Sequence, residues 1–317
     1  MNWNVMISAP YMQPVINRFA DEFHAQGVRF VAPAVHERME EADLLPIIDR
    51  FDGVICGDDR FSRSVLLKAS RLKVISKWGT GVDSIDRNAC EELGIRLCNT
   101  PGAFTIPVAD SAMAYMLALA RRSFEQTEQM RDGGWAKLPG VTLSECTIGI
   151  IGVGAIGREV ARRAAVFGAR VLGHDPVEPP AHIIASTGIE MVVLDQLLRE
   201  SDFVTIHCDL NSTSHRLINR NALAKMKPTA FLINTARGPI VEEFALTEAL
   251  LSKRLAGAAL DVFEVEPLPR ASPLRGLKNV LMAAHNSNSS PAAWERVHRS
   301  TIDNLIRGLK EVTRMAA

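Results

Sequence analysis

The sequence is short of the features that mark nucleic-acid-binding, disulfide-built and membrane-spanning proteins. Its 36 basic and 36 acidic residues cancel to zero formal charge, so no broad basic face is expected to hold nucleic acid or an anionic membrane. The five cysteines, Cys56, Cys90, Cys98, Cys146 and Cys208, are scattered and form no CxxC pair. They predict buried small side chains in a reducing cytoplasm, with neither a zinc site nor a disulfide framework. No apolar run approaches the ~20 residues that span a bilayer, and the opening MNWNVMISAPYMQPV has no basic start followed by an apolar core. A cytoplasmic protein with a small-molecule partner and no metal is expected.

What is present is a two-domain pattern. A chain of 317 residues with 47% hydrophobic content can fill two cores of ordinary size. Short apolar runs alternate with helix-length segments, as in parallel sheets covered on both faces. One group comprises NVMISA, VRFVAP, FDGVICG, LKVISKWG and IRLCNTP; a second, from Thr147, comprises TIGIIGVG, ARVLGHDP, SDFVTIHCD, TAFLINTA, LAGAALDVF and NVLMAAH. The α/β class with two doubly wound parallel sheets follows. Between the groups, VADSAMAYMLALARRSFEQTEQMRDGG predicts one long helix starting after Pro107 and ending at Gly133-Gly134. Its Ala and Met stripe suits a link between domains or a contact with a second subunit. The closing PAAWERVHRSTIDNLIRGLKEV predicts a helix that returns to the first domain.

The second group opens on a dinucleotide fingerprint. Gly152 allows a tight turn, Gly154 lets backbone approach a pyrophosphate, and Gly157 lets helix and strand pack closely, with Ala155 and Ile156 between them. The anion rests on the helix N-terminus. The next strand ends in Asp175, 175 − 157 = 18 positions beyond the last glycine, where a carboxylate accepts bonds from the adenosine ribose. It repels a 2′-phosphate, so NAD is favoured over NADP. The alternative is an Asx-type turn before Pro176.

NTARGPIVEE (234–243), AALDVFEVEP (258–267) and AAHNS (283–287) resemble the D-isomer-specific 2-hydroxyacid dehydrogenases. WGTGVDSID (78–86), GVGAIGREVARRAAVFGARVLGHDP (152–176) and CDLNSTSHRLIN (208–219) are similar to the phosphoglycerate-dehydrogenase branch. The resemblance runs from Leu72 to Glu295; the first seventy residues contribute little. It implies a Rossmann NAD-binding domain (102–288) inserted into a flavodoxin-like substrate domain (1–101 and 289–317), with the site in the cleft between them and a homodimer as the assembly.

Carried over motif by motif, the resemblance implies Arg237, Glu266 and His285 as the catalytic trio. The chemistry asks for the same residue types. Reducing a 2-oxoacid adds a proton to the carbonyl oxygen, which an imidazole titrating near neutrality can supply. A carboxylate on the other ring nitrogen orients it, and a guanidinium binds the substrate's oxygens. Singly, each has a plainer reading: Arg237 as a surface cap partner, Glu266 as a solvated residue before Pro267, His285 as a capped strand end. The resemblance also implies Thr235 near the cofactor and Asp261 near the nicotinamide, although both suit strand-end hydrogen bonding. It implies substrate carboxylate binding by the loop Lys77-Trp78-Gly79-Thr80-Gly81, whose glycines can turn N–H groups toward an anion. Lys77 is either a contact for a second anionic group or a solvated edge-strand charge.

Two departures bear on substrate. Ala284 precedes the histidine and Asn286-Ser287-Asn288-Ser289 follow it, where the family commonly has Pro before and small residues after. The segment AKLPGVTL after Trp135 carries fewer cations than the phosphoglycerate branch, which argues against a phosphorylated substrate. The expected activity is NAD-dependent interconversion of a small D-2-hydroxyacid and its 2-oxoacid, phosphoglycerate-dehydrogenase-like in sequence. The alternatives are a glyoxylate/hydroxypyruvate reductase or a non-catalytic NAD-sensing, corepressor-like protein of the same fold.

Overall fold

The computed structural model describes residues 2–315. The chain divides into two compact units, Met1–Phe104 with Ser290–Ala317, and Thr105–Ser289.

The first unit is built on strands β1 (Trp3–Ile7), β2 (Val28–Val31), β3 (Gly53–Cys56), β4 (Val74–Lys77) and β5 (Arg96–Cys98). They pair in parallel in the order β2-β1-β3-β4-β5, the flavodoxin-like winding. β3 and β4 are buried at every position, which is why β3 reads as an unbroken apolar run rather than an alternating one, while the polar Ser76 and Lys77 of β4 are both bonded within the unit. One face is sealed by Met6, Leu44, Ile48, Phe61, Leu66 and Ile75. The long helix Pro291–Met315 packs against β3, β4 and β5, with Ser76 Oγ donating to the Thr301 carbonyl at 2.8 Å and Asn304 Nδ2 to the Asn99 carbonyl at 3.0 Å.

The second unit carries β6 (Thr147–Ile151), β7 (Arg170–His174), β8 (Glu190–Met191), β9 (Phe203–Ile206), β10 (Phe231–Asn234), β11 (Gly257–Leu260) and β12 (Val280–Met282). Their order is β12-β11-β10-β9-β6-β7-β8, with every pairing parallel. The winding starts at β6, runs outward to β8, then returns to β9 on the other side of β6. That reversal is the Rossmann arrangement and sets a switch point between β6 and β9.

Three sequence expectations need correction. The second sheet has a seventh strand, β8, which no apolar run announced. The long central helix is two, Thr105–Ala120 and Ser123–Arg131. It begins before Pro107, which fits the first turn because its missing N–H would have no partner there. It breaks where Arg122 adopts left-handed φ 52°, with the Ala120 carbonyl accepting from Val141 N at 2.9 Å. The Ala and Met stripe, finally, is used inside the unit: Ala109, Ala112, Met113 and Met116 pack on Ile148, Ile150, Val160 and Ala164. Cys56, Cys90 and Cys146 are buried, Cys98 and Cys208 only partly, and all five are free thiols. No helix among the described residues is long and apolar enough to cross a membrane.

Candidate active site

The glycine-rich turn follows β6. Gly152 has φ +92°, and a Cβ there would lie 2.4 Å from the Cys208 backbone nitrogen. A Cβ on Gly157 would lie 2.0 Å from the Gly152 carbonyl oxygen. Both positions therefore require glycine, one for the turn and one for helix-on-strand packing. Gly154 differs: it is exposed, and a Cβ there would meet nothing within 4 Å. It opens the helix Ala155–Val166. Arg158 N is the first to find the helix's own carbonyl, that of Gly154 at 3.0 Å, so the N–H groups of the preceding turn have no intrahelical acceptor. Open space in front of aligned donors fits a pyrophosphate.

Asp175 follows β7 directly. Its Oδ2 accepts from Val153 N at 2.7 Å and its Oδ1 from Val177 N at 2.8 Å. The carboxylate thus makes the Asx turn and also clamps the glycine loop, and each oxygen keeps a second lone pair for a ribose hydroxyl. After β10, Thr235 is 7% exposed and its hydroxyl is buried without a hydrogen-bond partner. Such an orphan costs free energy unless a bound group satisfies it.

The trio comes from three turns of the same unit. Asn234 shapes the first: its Nδ2 donates to the Arg237 carbonyl at 2.9 Å and its Oδ1 accepts from Ala236 N at 3.0 Å. Arg237 Nη1 donates to the Ala236 carbonyl at 2.8 Å. Gly238 lies so close to the next turn that a Cβ would fall 1.9 Å from the Phe263 carbonyl carbon. Contact of those two turns sets Arg237 beside the segment that carries Glu266. Glu266 Oε1 accepts from Phe263 N at 2.9 Å, and its Oε2 lies 3.1 Å from His285 Nδ1. The pair is partly accessible, with side chains 21% and 26% exposed. A carboxylate on Nδ1 selects the tautomer with its proton there and leaves Nε2 as the ring's reactive edge.

His285 is held in left-handed backbone, φ 49°, a conformation that a non-glycine residue keeps only when its surroundings enforce it. Asp261 enforces it. Its carbonyl accepts from His285 N at 2.8 Å, and its two carboxylate oxygens accept from Asn286 N and Ser287 N at 2.8 and 2.9 Å. Ser111 Oγ adds a bond to the Ser287 carbonyl at 3.3 Å. Asp261 therefore builds the turn that presents the imidazole, a role the strand-end alternative had named without its object. His207, just past the end of β9, is unsuited to proton donation: burial pushes its pKa down to about 3, and its Nε2 lies 2.9 Å from Thr205 Oγ1.

In the first unit, the loop after β4 is tightly fastened. Trp78 N donates to the Cys56 carbonyl at 2.8 Å and its indole N–H to His298 Nδ1 at 3.0 Å. Gly79 has φ +125° and its carbonyl accepts from Thr100 N at 3.0 Å. The Thr80 hydroxyl is taken by the Thr100 carbonyl at 3.1 Å, and Asn99 Nδ2 donates to the Thr80 carbonyl at 2.7 Å. Gly81 is half-buried at the loop's exit. Lys77 is not the solvated edge charge that one reading allowed. β4 lies between β3 and β5, and Lys77 is 4% exposed with its ammonium 3.0 Å from Asp58 Oδ1. The sequence reading missed Asp58 and its neighbour Asp59; no motif marks them. Among the described residues no group of three His, Cys, Asp or Glu side chains is arranged to hold a metal.

Comparison with known proteins gives the family. The NAD-binding-domain model of the D-isomer specific 2-hydroxyacid dehydrogenases matches residues 113–287. The chain is 37% identical over 278 residues to a hydroxypyruvate reductase of Thermotoga maritima, covering 86% of this chain and 90% of that one. It is 38% identical over 260 residues to a D-3-phosphoglycerate dehydrogenase of Methanocaldococcus jannaschii, covering 81% of this chain and 48% of the relative. The crystal structure of the TT0316 protein of Thermus thermophilus superposes with a TM-score of 0.84 at 34% identity, over 97% of each chain. The chain belongs to the D-isomer specific 2-hydroxyacid dehydrogenase family and is an NAD-dependent oxidoreductase acting on the CH–OH group of 2-hydroxyacids.

Proposed function

We propose that the chain interconverts a short, unphosphorylated D-2-hydroxyacid and its 2-oxoacid, with His285 as general acid and base, Glu266 as its orienting partner and Arg237 as the group that binds substrate oxygens. The 3.1 Å contact between Glu266 Oε2 and His285 Nδ1 carries this reading. A strand-end cap needs no carboxylate on the ring, whereas a proton donor does, because the imidazolium that forms when the ring accepts a proton is stabilised by that charge. In reduction Nε2 gives its proton to the carbonyl oxygen; in oxidation it takes the hydroxyl proton back. Arg237 supports the negative charge that builds on the oxygen, and the Gly79–Gly81 backbone receives the substrate carboxylate.

NAD is expected along Gly152, Gly154, Ala155, Ile156 and Gly157 with its pyrophosphate, at Asp175 with its ribose, and at Thr235 and Asp261 with its nicotinamide half. It supplies or accepts the hydride. Domain roles follow: the second unit binds coenzyme and the first contributes the substrate loop. A homodimer is part of the proposal, supported by Phe124, Met130 and Trp135, exposed at 60%, 52% and 87% along one stretch of chain. Five free thiols support a reducing, cytoplasmic location.

The test is NADH oxidation against glyoxylate, hydroxypyruvate and phosphohydroxypyruvate, repeated with NADPH. Saturable turnover of the first two with NADH is expected. Saturable NADH binding without turnover of any acid would leave a coenzyme sensor in place of an enzyme.

A further inference from the structure

We propose that Asp58 is a specificity-determining residue: as the resident counter-ion of Lys77 it bars phosphorylated 2-oxoacids and selects substrates whose only charge is the carboxylate. The inference rests on the reading that the Lys77–Gly81 loop receives substrate.

Four groups meet at the carboxyl ends of neighbouring strands, where doubly wound sheets bind ligands. Ser8 follows β1, Asp58 and Asp59 follow β3, and Lys77 ends β4. The Lys77 ammonium donates to the Trp78 carbonyl at 3.2 Å and lies 3.4 Å from the position a Cβ on Gly79 would take. It therefore stands against the backbone of the anion-binding loop itself. An ammonium removed from water needs a counter-charge. In a site that grips a substrate phosphate, the ligand supplies that charge. Here the protein does, through Asp58 Oδ1 at 3.0 Å, while 44% of the Asp58 side chain stays accessible.

A second carboxylate tips the balance further. Asp59 is fully buried; its Oδ2 accepts from Ser8 Oγ at 2.5 Å and its Oδ1 from Met39 N at 2.6 Å. Burial pushes its pKa up to about 6, against the pull of Ser8, Met39 and Lys77, so it is ionised at neutral pH. Two carboxylates around one ammonium leave a net negative charge. A phosphoryl group brings roughly −1.5 to −2 at pH 7 and would have to displace Asp58 and remain beside both acids. A hydroxyl on the third carbon meets no such penalty and can donate to Asp58. Selectivity here comes from a repulsive element against the wrong ligand.

Wild type, Asp58→Asn and the double variant Asp58→Asn/Lys77→Met would be compared for kcat/KM on hydroxypyruvate and phosphohydroxypyruvate with NADH. Like-charge juxtaposition is costly enough that wild type should favour the unphosphorylated acid by ~100-fold or more. Asp58→Asn should narrow that ratio at least ~10-fold through a lower KM for the phosphorylated acid, and the double variant should lose the gain. A ratio unchanged within about twofold in Asp58→Asn, or a wild type that prefers the phosphorylated acid, overturns the proposal. Should Asp58→Asn misfold, Asp58→Ser removes the same charge. If wild type reduces neither acid, the proposed reaction falls on its own. Calorimetric titration of phosphohydroxypyruvate into NADH-loaded protein then decides the specificity claim: tightening by ~10-fold in Asp58→Asn supports it, and unchanged binding overturns it.

Discussion

The carboxyl ends of the two sheets are made of different materials. In the second unit the turn after β6 offers backbone: glycines at 152 and 157 that no other residue could replace, open space at 154, and the donors of a helix N-terminus. In the first unit the corresponding ends offer charged side chains, Asp58, Asp59 and Lys77, already engaged with one another. The backbone-built end suits a partner that is the same for every member of a family, since its donors survive most side-chain changes. The side-chain-built end can be retuned by one substitution, which suits the part of the reaction that varies between relatives. Two of the buried carboxylates, Asp261 and Asp59, repeat the contrast. Asp261 accepts two backbone N–H groups and so shapes the turn bearing His285, whereas Asp59 accepts one N–H and a hydroxyl beside a charged pair.

The largest expected effect lies in the second unit. His285→Ala should lower kcat by ~10²–10⁴, the usual contribution of a positioned acid, while NADH binding followed by fluorescence titration stays close to wild type. If the ring were only a strand-end cap, the same change would shift the unfolding midpoint and leave kcat alone. An unchanged kcat would remove the functional difference between His285 and the neutral His207.

A smaller effect separates the units by pH. Asp59 has a folded pKa of about 6 against an ordinary 3.8, so the folded chain holds a proton that the unfolded chain releases between those values. Its contribution to stability is full below about pH 4 and is lost as pH rises through 6, an upper figure of about 3 kcal/mol over the window. His207 has the opposite sign. Its folded pKa of about 3 lies below an ordinary 6.5, so its contribution is present above pH 6.5 and is lost as pH falls toward 3. Acidification from pH 7 to 5 should therefore weaken amide protection around β9 relative to that around β3. Asp59→Asn and His207→Gln should each flatten one side of the comparison. Hydrogen exchange that changes equally in both units would show that neither group governs its surroundings.

Legibility in the sequence followed the same division of materials. Gly152 and Gly157 could be read because tight backbone approach demands glycine at that spacing, Gly154 because it stands between them in the same pattern, and the preceding β6 is mostly apolar. Arg237, Glu266 and His285 were readable as motifs, and Gly238 explains why the first of them needs its glycine: the turn rests on Phe263. The strand β8 was not readable, because it consists of Glu190 and Met191 at the sheet's edge, too short to show a period. The break after Ala120 has no Gly or Pro to announce it; a distant segment at Val141 supplies the hydrogen bond that ends the helix. Lys77 and Asp58 lie 77 − 58 = 19 residues apart, one ending β4 and the other following β3. Their pairing follows from strand order, and a linear scan sees only two ordinary charges.

The finest test concerns Asp175, where the two materials meet in one residue. Its carboxylate clamps the glycine loop through Val153 N and closes the turn at Val177 N, and its charge opposes a 2′-phosphate. These roles separate in the coenzyme ratio. Asp175→Ala removes both; if charge sets the preference, the ratio of kcat/KM for NADH to that for NADPH should fall by ~10-fold, about 1.4 kcal/mol of selectivity. Asp175→Asn removes the charge but keeps one acceptor, and should reproduce most of the fall with less damage to NADH binding. If instead both coenzymes weaken together and the ratio holds, Asp175 acts as a clamp alone, and the backbone-built end owes its coenzyme preference to some other feature.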